Sequence, residues 1–370
     1  MIHRIAAQLI KNDFNKQKAI VVMGARQVGK TTMLKNLVDV EDCLMLNCDN
    51  IDDRSDLENK TTSELRNLVG NHKTVVIDEA QRVHNIGLML KMLVDMDLPM
   101  QILATGSSSL SLADEINEPA TGRLIEHRLF PLSLTEIAAS TSPREEQRLL
   151  EWRMIYGLYP EVVTHPNDAR RILQNLANNY LYRDLLGYKG IKKPDILQKL
   201  VRALALQVGS EVSYNELANL VGIDKSTVEN YIDLLEKCYV VFRLPSYNRN
   251  LRNEIKKGKK IYFYDNGIRN ALISNFAPLD QRNDTGALWE NLMVSERVKR
   301  NSYAQNYAQM YFWRTQQQQE IDLIEELDGK LTAYEFKWKK AKARLPKTFD
   351  DNYPNTTLQV VTPENFWEFV

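Results

Sequence analysis

The sequence KAIVVMGARQVGKT, residues 18–31, joins an apolar run directly to a glycine-rich loop. Residues 19–23 are apolar and bounded by polar residues, which predicts a short, fully buried strand. Residues 24–31 match the pattern GxxxxGK followed by Thr, and the amphipathic stretch at 32–38 predicts a helix directly after the loop. A strand, a P-loop and a helix in this order predict a doubly wound parallel α/β sheet.

The residue types in this loop suit the phosphates of ATP. Glycine lets backbone N–H groups turn toward a phosphate, and the helix N-terminus adds a favourable partial charge. We expect Lys30 to reach the β- and γ-phosphates and the Thr31 hydroxyl to bind Mg²⁺. The predicted ATP-binding residues are Gly24, Ala25, Arg26, Gln27, Val28, Gly29, Lys30, Thr31, Thr32 and Thr105.

Two later strand-like runs end in polar residues that suit the same site. The run KTVVIDE at 73–79 ends in Asp78, predicted to bind Mg²⁺, and in Glu79, predicted to orient or deprotonate a water for attack on the γ-phosphate. The run MQILATGSSS at 100–109 is predicted to bring Thr105 or Ser107 to the γ-phosphate or the attacking water. An ordinary serine-rich turn is the alternative for this last run.

Arg123 follows Gly122 and precedes a strand-like run at 124–129. An arginine here suits an arginine finger that stabilises the transferring phosphoryl group, in cis or across a subunit boundary. The second arrangement requires a homo-oligomer. A solvated surface arginine is the alternative.

Several motifs together resemble a known family. They are GARQVGKT (24–31), VIDEAQ (76–81), ATGSSS (104–109), GRL (122–124), FPLSLTE (130–136), GLYPEV (157–162), YFYDNG (262–267) and FWRT (312–315). The chain resembles bacterial and archaeal AAA-type ATPases with a C-terminal domain of unknown function. The resemblance implies ATP hydrolysis with Mg²⁺, a helical lid packed next to the nucleotide, and a restriction-endonuclease-like fold in the C-terminal domain.

We divide the chain into four predicted domains. They are an AAA-type ATPase domain at 1–142, a helical lid at 143–204, a winged helix-turn-helix at 205–270 and a small α/β nuclease-like domain at 271–370. The length of 370 residues suits two or three domains, each able to bury a core.

The helix-turn-helix prediction depends on residues 212–235. Ser213 suits the N-cap of a first helix with Glu216 as its capping-box partner, and Gly222 suits the turn before a second helix. Strand-like runs at 239–244 and 260–264 then predict a wing.

The charge distribution does not decide whether the predicted helix-turn-helix binds DNA or a protein. The whole chain has 48 Lys and Arg against 48 Asp and Glu, which argues against binding nucleic acid by bulk charge. Residues 181–260 nevertheless hold 15 basic and 9 acidic residues. The basic residues of the predicted wing are Arg249, Arg252, Lys256, Lys257, Lys259 and Lys260. These predict local DNA contact, whereas Glu229 and Asp233 on the second helix would repel phosphates and most base edges. A protein-interaction module is the alternative.

The C-terminal segment carries a second candidate catalytic pattern. Glu335 and Lys337 share one face of a predicted strand, Asp322 lies on the strand before it, and Glu290 lies on a preceding helix. Asp322 and Glu335 would bind a divalent metal, with Lys337 activating a water for phosphodiester attack. The pattern resembles the PD-(D/E)XK nucleases, with Ile321 where proline is frequent. A solvated strand face, or a binding platform without cleavage, is the alternative.

The remaining composition excludes other classes. Cys43, Cys48 and Cys238 are too few for a disulfide framework and lack metal-site spacing. No run approaches the roughly 18–20 apolar residues of a membrane helix, and the first residues do not suit a signal peptide. We therefore expect a cytoplasmic protein with no membrane partner.

The sequence is consistent with two functions. In the first, ATP hydrolysis drives a winged-helix and nuclease-like module that acts on DNA. In the second, nucleotide state switches a signalling protein that controls a protein partner, and the nuclease-like domain is inactive.

Overall fold

The computed structural model describes residues 2–39, 41–107, 122–180, 194–248, 258–339 and 342–370. The chain forms two compact units, Met1–Leu132 with Lys237–Tyr239, and Ser133–Glu236 with Val240–Val370. Residues 133–142, predicted to end the ATPase domain, belong to the second unit. The further division of the second unit into three domains stays a prediction.

The first unit is a parallel α/β structure. Its strands are β1 (Ala19–Met23), β2 (Cys43–Asn47), β3 (Thr74–Asp78), β4 (Gln101–Gly106) and β5 (Leu124–Arg128). Its helices are α1 (Ile5–Asn12), α2 (Lys30–Lys35), α3 (Ile51–Ser55), α4 (Thr62–Val69) and α5 (Ile86–Asp95). The strand order is β2-β3-β4-β1-β5, and every pair is parallel, which confirms the predicted sheet.

The sheet order explains both the apolar sequence and the position of the site. All residues of β1 and β4 are buried, as expected when both faces of a parallel sheet are covered. Only β4 lies between β1 and β3. The loop after β1 and the acidic end of β3 therefore meet at the carboxyl edge of the sheet, where ligands bind in folds of this kind.

The second unit begins with helices. They are α6 (Leu134–Ser140), α7 (Pro143–Arg148), α8 (Leu150–Tyr156), α9 (Pro160–Thr164), α10 (Ala169–Asn175) and α11 (Pro194–Leu206). A three-stranded antiparallel sheet follows, with its helices: β6 (Glu211–Val212), α12 (Tyr214–Val221), α13 (Lys225–Lys237), β7 (Val241–Pro245), β8 (Lys259–Phe263) and α14 (Asn266–Leu272). Its strand order is β6-β8-β7.

Helices α12 and α13 begin and end at the residues that the sequence indicates. The Ser213 hydroxyl accepts a hydrogen bond from the Glu216 N–H at 3.3 Å, and α12 ends at Gly222 with a left-handed φ of 77°. Asp224 accepts a bond from the Thr227 N–H at 2.8 Å at the start of α13. Of the predicted wing, residues 249–257 lie outside the described part of the chain.

The C-terminal part of the second unit is a mixed sheet with a long helix. Its elements are α15 (Thr285–Tyr303), β9 (Gln309–Arg314), β10 (Glu320–Leu327), β11 (Lys330–Phe336), α16 (Lys347–Asn352) and β12 (Thr357–Val361). The order is β12-β11-β10-β9, with β11 and β12 parallel and the other pairs antiparallel. The Tyr247 N–H donates to the Phe312 carbonyl at 2.6 Å, so the chain after β7 joins the edge strand β9.

Two further features concern the cysteines and the length of the helices. The three cysteines form no disulfide; Cys48 and Cys238 are buried, and Cys43 is half-buried. Burial raises the pKa of the Cys48 thiol to about 12, so this thiol stays protonated at neutral pH. Within the described ranges, no helix is both long and apolar enough to cross a membrane.

Candidate nucleotide-binding site and acidic cluster

Steric contact and left-handed backbone shape the loop after β1. A Cβ atom at Gly24 would lie 2.1 Å from the carbonyl oxygen of Leu129, which follows β5, so glycine is needed there. Gln27 and Gly29 have φ values of 57° and 92°, in the left-handed region that favours glycine. The loop thus turns from the end of β1 into the start of α2.

Lys30 is held inside this turn. Its side chain is only 5% exposed, and Nζ donates to the carbonyl oxygens of Gly24 at 2.9 Å and Ala25 at 2.8 Å. A buried ammonium enclosed by a glycine-containing loop provides the positive charge that the phosphates of a nucleotide require.

The structure brings together the two residues predicted to bind Mg²⁺. Thr31 lies in the first turn of α2, and its Oγ1 donates to Oδ2 of Asp78, the last residue of β3, at 2.8 Å. Hydroxyl and carboxylate oxygens are the hard ligands that Mg²⁺ uses in P-loop sites. The donor set therefore fits the metal ion that the loop pattern implies.

Thr105, predicted to contact the γ-phosphate or the attacking water, bonds to both acids of the site. It is fully buried on β4, its hydroxyl donates to Asp78 Oδ1 at 2.5 Å, and it accepts the Glu79 N–H at 3.0 Å. Because a hydroxyl has one proton to donate, that proton is already used on Asp78. Thr105 fixes the end of β3 and so orients both acids.

Glu79 is positioned by Gln81, a residue to which the sequence patterns assign no role. Its backbone is left-handed, with φ of 52° and ψ of 41°. The Gln81 amide donates to Glu79 Oε2 at 2.5 Å and to Ser107 Oγ at 2.9 Å. Gln81 thereby ties the predicted catalytic carboxylate to the end of β4. Its place in the VIDEAQ motif is the one sequence signal that marks it.

A second unassigned residue supports the loop from the N-terminus of the chain. Arg4 is 8% exposed, and its guanidinium donates to the carbonyl oxygens of Val28 and Phe130, both at 2.6 Å. It therefore joins the P-loop to the chain that follows β5. A lone arginine before a short helix carries no sequence pattern that reveals this contact.

Arg123 is not placed for an arginine finger in cis. Its Nε donates to Asp95 Oδ1 at 2.5 Å on the surface, and its carbonyl accepts the N–H of Ala19. This is the amino end of β1, whereas the P-loop follows the carboxyl end. Five residues of strand, on the order of 15 Å, separate the two ends. The role across a subunit boundary stays a prediction.

The second candidate site is an acidic cluster in the second unit. We use this name for the side chains of Glu290, Glu320, Asp322 and Glu335, with the lysines Lys260 and Lys337. Glu290 lies on α15, Glu320 and Asp322 on β10, and Glu335 on β11. The residues predicted for the nuclease-like site, Glu290, Asp322, Glu335 and Lys337, are therefore neighbours in the fold.

Lys260 occupies an unexpected place in this cluster. The predicted DNA contact at Lys260 is wrong, because its side chain is 1% exposed. Its Nζ lies 2.8 Å from Glu290 Oε1 and 2.5 Å from Glu320 Oε1. Burial alone would lower the pKa of Lys260, but the charges of Glu290, Glu320 and Asp322 raise it. The lysine is therefore a buried ammonium among carboxylates.

Burial also changes the acids of the cluster. It is the largest cause of the raised pKa of Glu290, which reaches about 7, although Lys260 opposes the shift. Burial likewise raises the pKa values of Asp322 and Glu335. Charged carboxylates here depend on nearby cations for stabilisation.

Asp322 and Glu335 are already engaged with protein groups. Asp322 Oδ2 accepts the Phe336 N–H at 2.8 Å, and Lys337 Nζ lies 2.7 Å from Glu335 Oε2. Across the described part of the chain, no group of three or more His, Cys, Asp or Glu side chains is arranged to hold a metal ion. The cluster as built does not fit the predicted metal site.

Helix α13 presents fewer unpaired acids than its sequence suggests. Arg243 on β7 forms ion pairs with Asp233 at 2.5 Å and with Glu236, both on α13. Glu229 remains exposed on the same helix. The repulsion expected from Asp233 is thus compensated within the fold, and that from Glu229 is not.

Comparison with known proteins agrees with the fold of the first unit. Residues 16–138 match the family described as AAA domain. Residues 147–279 and 285–366 match two domains of unknown function, DUF8612 and DUF4143. The parallel sheet and the loop geometry agree with this match, and together they support a P-loop fold of the AAA type for residues 16–138.

The curated relatives match most of the chain and are described as uncharacterized proteins. Uncharacterized proteins of Mycobacterium tuberculosis and Mycobacterium bovis are each 27% identical over 339 residues, covering 90% of this chain and 73% of theirs. An uncharacterized protein of Methanocaldococcus jannaschii is 25% identical, covering 83% of this chain and 72% of its own. Among solved structures, a Walker-type ATPase of Pyrococcus abyssi gives a TM-score of 0.48 at 15% identity, covering 74% of this chain and 96% of that one.

Proposed function

We propose that the protein is a Mg²⁺-dependent ATP hydrolase whose nucleotide cycle controls its second unit. The observation that carries the proposal is a set of three hydrogen bonds. The hydroxyls of Thr31 and Thr105 both donate to Asp78, and the backbone N–H of Glu79 donates to the Thr105 hydroxyl. These bonds join the P-loop to the backbone of Glu79, the predicted catalytic residue.

Each residue of this set has a definite task in this reaction. Bound Mg·ATP supplies the γ-phosphoryl group and the charge neutralisation that its transfer to water requires. Lys30 would hold the phosphates, and Thr31 with Asp78 would hold the metal ion. Glu79 accepts a proton from the attacking water, while Gln81 limits the rotation of the Glu79 carboxylate through its 2.5 Å hydrogen bond. Catalysis here is positioning and proton acceptance by groups already held in place.

ATP turnover of three variants tests the proposal. Lys30→Ala should lose nucleotide binding, whereas Glu79→Gln should still bind ATP but release phosphate at least about 100-fold more slowly. Lys35→Ala is the matched control, because Lys35 lies exposed in the same helix. Equal phosphate release by wild type and Glu79→Gln in clean preparations would refute the assigned chemistry.

A second candidate function is DNA contact by the helix-turn-helix and its wing. Pairing of Asp233 and Glu236 with Arg243 favours it, since these pairs reduce the negative charge that α13 presents. Lys259 is the described wing lysine that is not part of the acidic cluster.

Binding to a labelled DNA duplex at increasing salt tests this candidate. Phosphate contacts make affinity fall steeply with salt, and neutralising Lys256, Lys257 and Lys259 together should reduce that slope by up to about three. Lys347→Gln, an exposed lysine on α16, is the control. Salt-independent or undetectable binding would instead favour a nucleotide switch that controls a protein partner.

A further inference from the structure

We propose that Lys260 is a tethered cation that occupies the centre of the acidic cluster and keeps divalent metal ions out of it. The proposal goes beyond ATP hydrolysis, because it concerns the second unit and requires no nucleotide. It also replaces the expectation that Asp322 and Glu335 bind a metal ion in the native protein.

The geometry shows how completely the lysine is engaged. Its Nζ contacts carboxylate oxygens of Glu290 and Glu320 at 2.8 and 2.5 Å, from two different elements of the fold. Tyr262, two residues later on β8, donates its hydroxyl to the same Glu290 oxygen at 2.6 Å. Alternation along a strand places both side chains on one face of β8, so β8 delivers a cation and a hydrogen-bond donor together.

Charge explains why this position excludes a metal ion. Four clustered and partly buried carboxylates require compensating positive charge. Lys260 supplies it at the centre, and Lys337 supplies it at Glu335, 2.7 Å away. Carboxylate oxygens are also the preferred ligands of Mg²⁺ and Mn²⁺. A divalent ion could use them only if the ammonium left, and β8 holds the lysine backbone by pairing with Leu244 on β7.

Removing the ammonium should therefore create a metal site. Lys260→Met keeps the length of the side chain and removes its charge. Mn²⁺ titration of the full chain without nucleotide, followed by electron paramagnetic resonance of the free ion, counts bound metal. We expect Lys260→Met to bind one more Mn²⁺ than wild type, at least about tenfold more tightly than any wild-type site in this unit. Adding Asp322→Asn should abolish the gain.

The controls separate this result from the other sites. Any Mn²⁺ bound at the P-loop is common to all variants and cancels in the comparison. Lys259→Met removes a neighbouring lysine outside the cluster and should behave as wild type. A folded Lys260→Met that gains no Mn²⁺ would overturn the proposal.

A second measurement, on protein that retains Lys260, makes the test independent of whether Lys260→Met folds. Thermal unfolding of wild type and of Asp322→Asn, with and without Mn²⁺, should show the same metal response in both. Stabilisation of wild type that Asp322→Asn loses would mean that the cluster binds metal with Lys260 in place. That outcome would also overturn the proposal, whatever the ATP turnover of the same preparations.

Discussion

The contact of Arg4 with the P-loop makes the strongest prediction for nucleotide binding. Replacing Arg4 with Met keeps much of the apolar stem and removes both hydrogen bonds to the carbonyl oxygens of Val28 and Phe130. Hydrogen bonds from a charged donor contribute about 1.5–3 kcal/mol each, so the loop loses about 3–6 kcal/mol of support. In the variant, part of the free energy of nucleotide binding must be used to order the P-loop.

The expected effect is a weaker affinity with chemistry largely preserved. If about half of the lost support falls on the binding step, about 1.5–3 kcal/mol, the dissociation constant for ATP rises about 10- to 150-fold. Turnover at saturating ATP should change little, because Glu79 is held by Gln81 at the end of β3, whereas Arg4 supports the loop at Val28.

Titration with a fluorescent ATP analogue measures this effect directly. Arg66→Met, at an exposed arginine on α4 of the same unit, is the matched control. Urea denaturation of each variant establishes that the sheet is folded before binding is compared. A folded Arg4→Met that binds within twofold of wild type would show that the loop keeps its shape without this support.

Two further predictions concern positioning and pH. Gln81→Leu should lower ATP turnover about 10- to 100-fold through misplacement of Glu79 while leaving nucleotide affinity within twofold; parallel losses of both would instead indicate a collapsed site. Burial opposes ionisation of Asp284, but hydrogen bonds from Arg282 and Arg269 lower the pKa of this carboxyl to about 2, below its ordinary 3.8. Its stabilisation, about 2 kcal/mol, is present above pH 4 and is lost as pH falls toward 2. The difference in unfolding free energy between wild type and Asp284→Asn, measured with urea, should therefore shrink below pH 4, and a constant difference would contradict this linkage.

The P-loop was predictable because contiguous residues encode it. The buried run at 19–23, the loop and the following helix lie within one stretch of chain, so local patterns suffice. The pairing of Asp78 with Thr31 was predictable for a related reason, since a parallel sheet brings the carboxyl ends of its strands together. The hydrogen bond from Thr105 to Asp78 was not predicted, because a sequence does not give the side-chain distances that decide the partner of a hydroxyl.

The supporting contacts lie beyond local patterns. Arg4 reaches a carbonyl 126 residues away, and Lys260 a carboxylate 30 residues away. The charge of Lys260 suits a solvated wing as well as a buried ion pair, and only the pairing of β8 places its side chain inward. Charge counts along a sequence therefore predict a basic surface without identifying which lysines belong to it.

The ion pair of Lys260 and Glu290 has a consequence for how proteins of this type are inherited. The lysine lies in the segment that matches one domain of unknown function, and its carboxylate partners lie in the segment that matches the other. Recombination between two such genes at the junction near residues 280–284 would separate a buried charge from its partners. Unless the donor brings a lysine of its own, we expect the two segments to be exchanged together and rarely found apart.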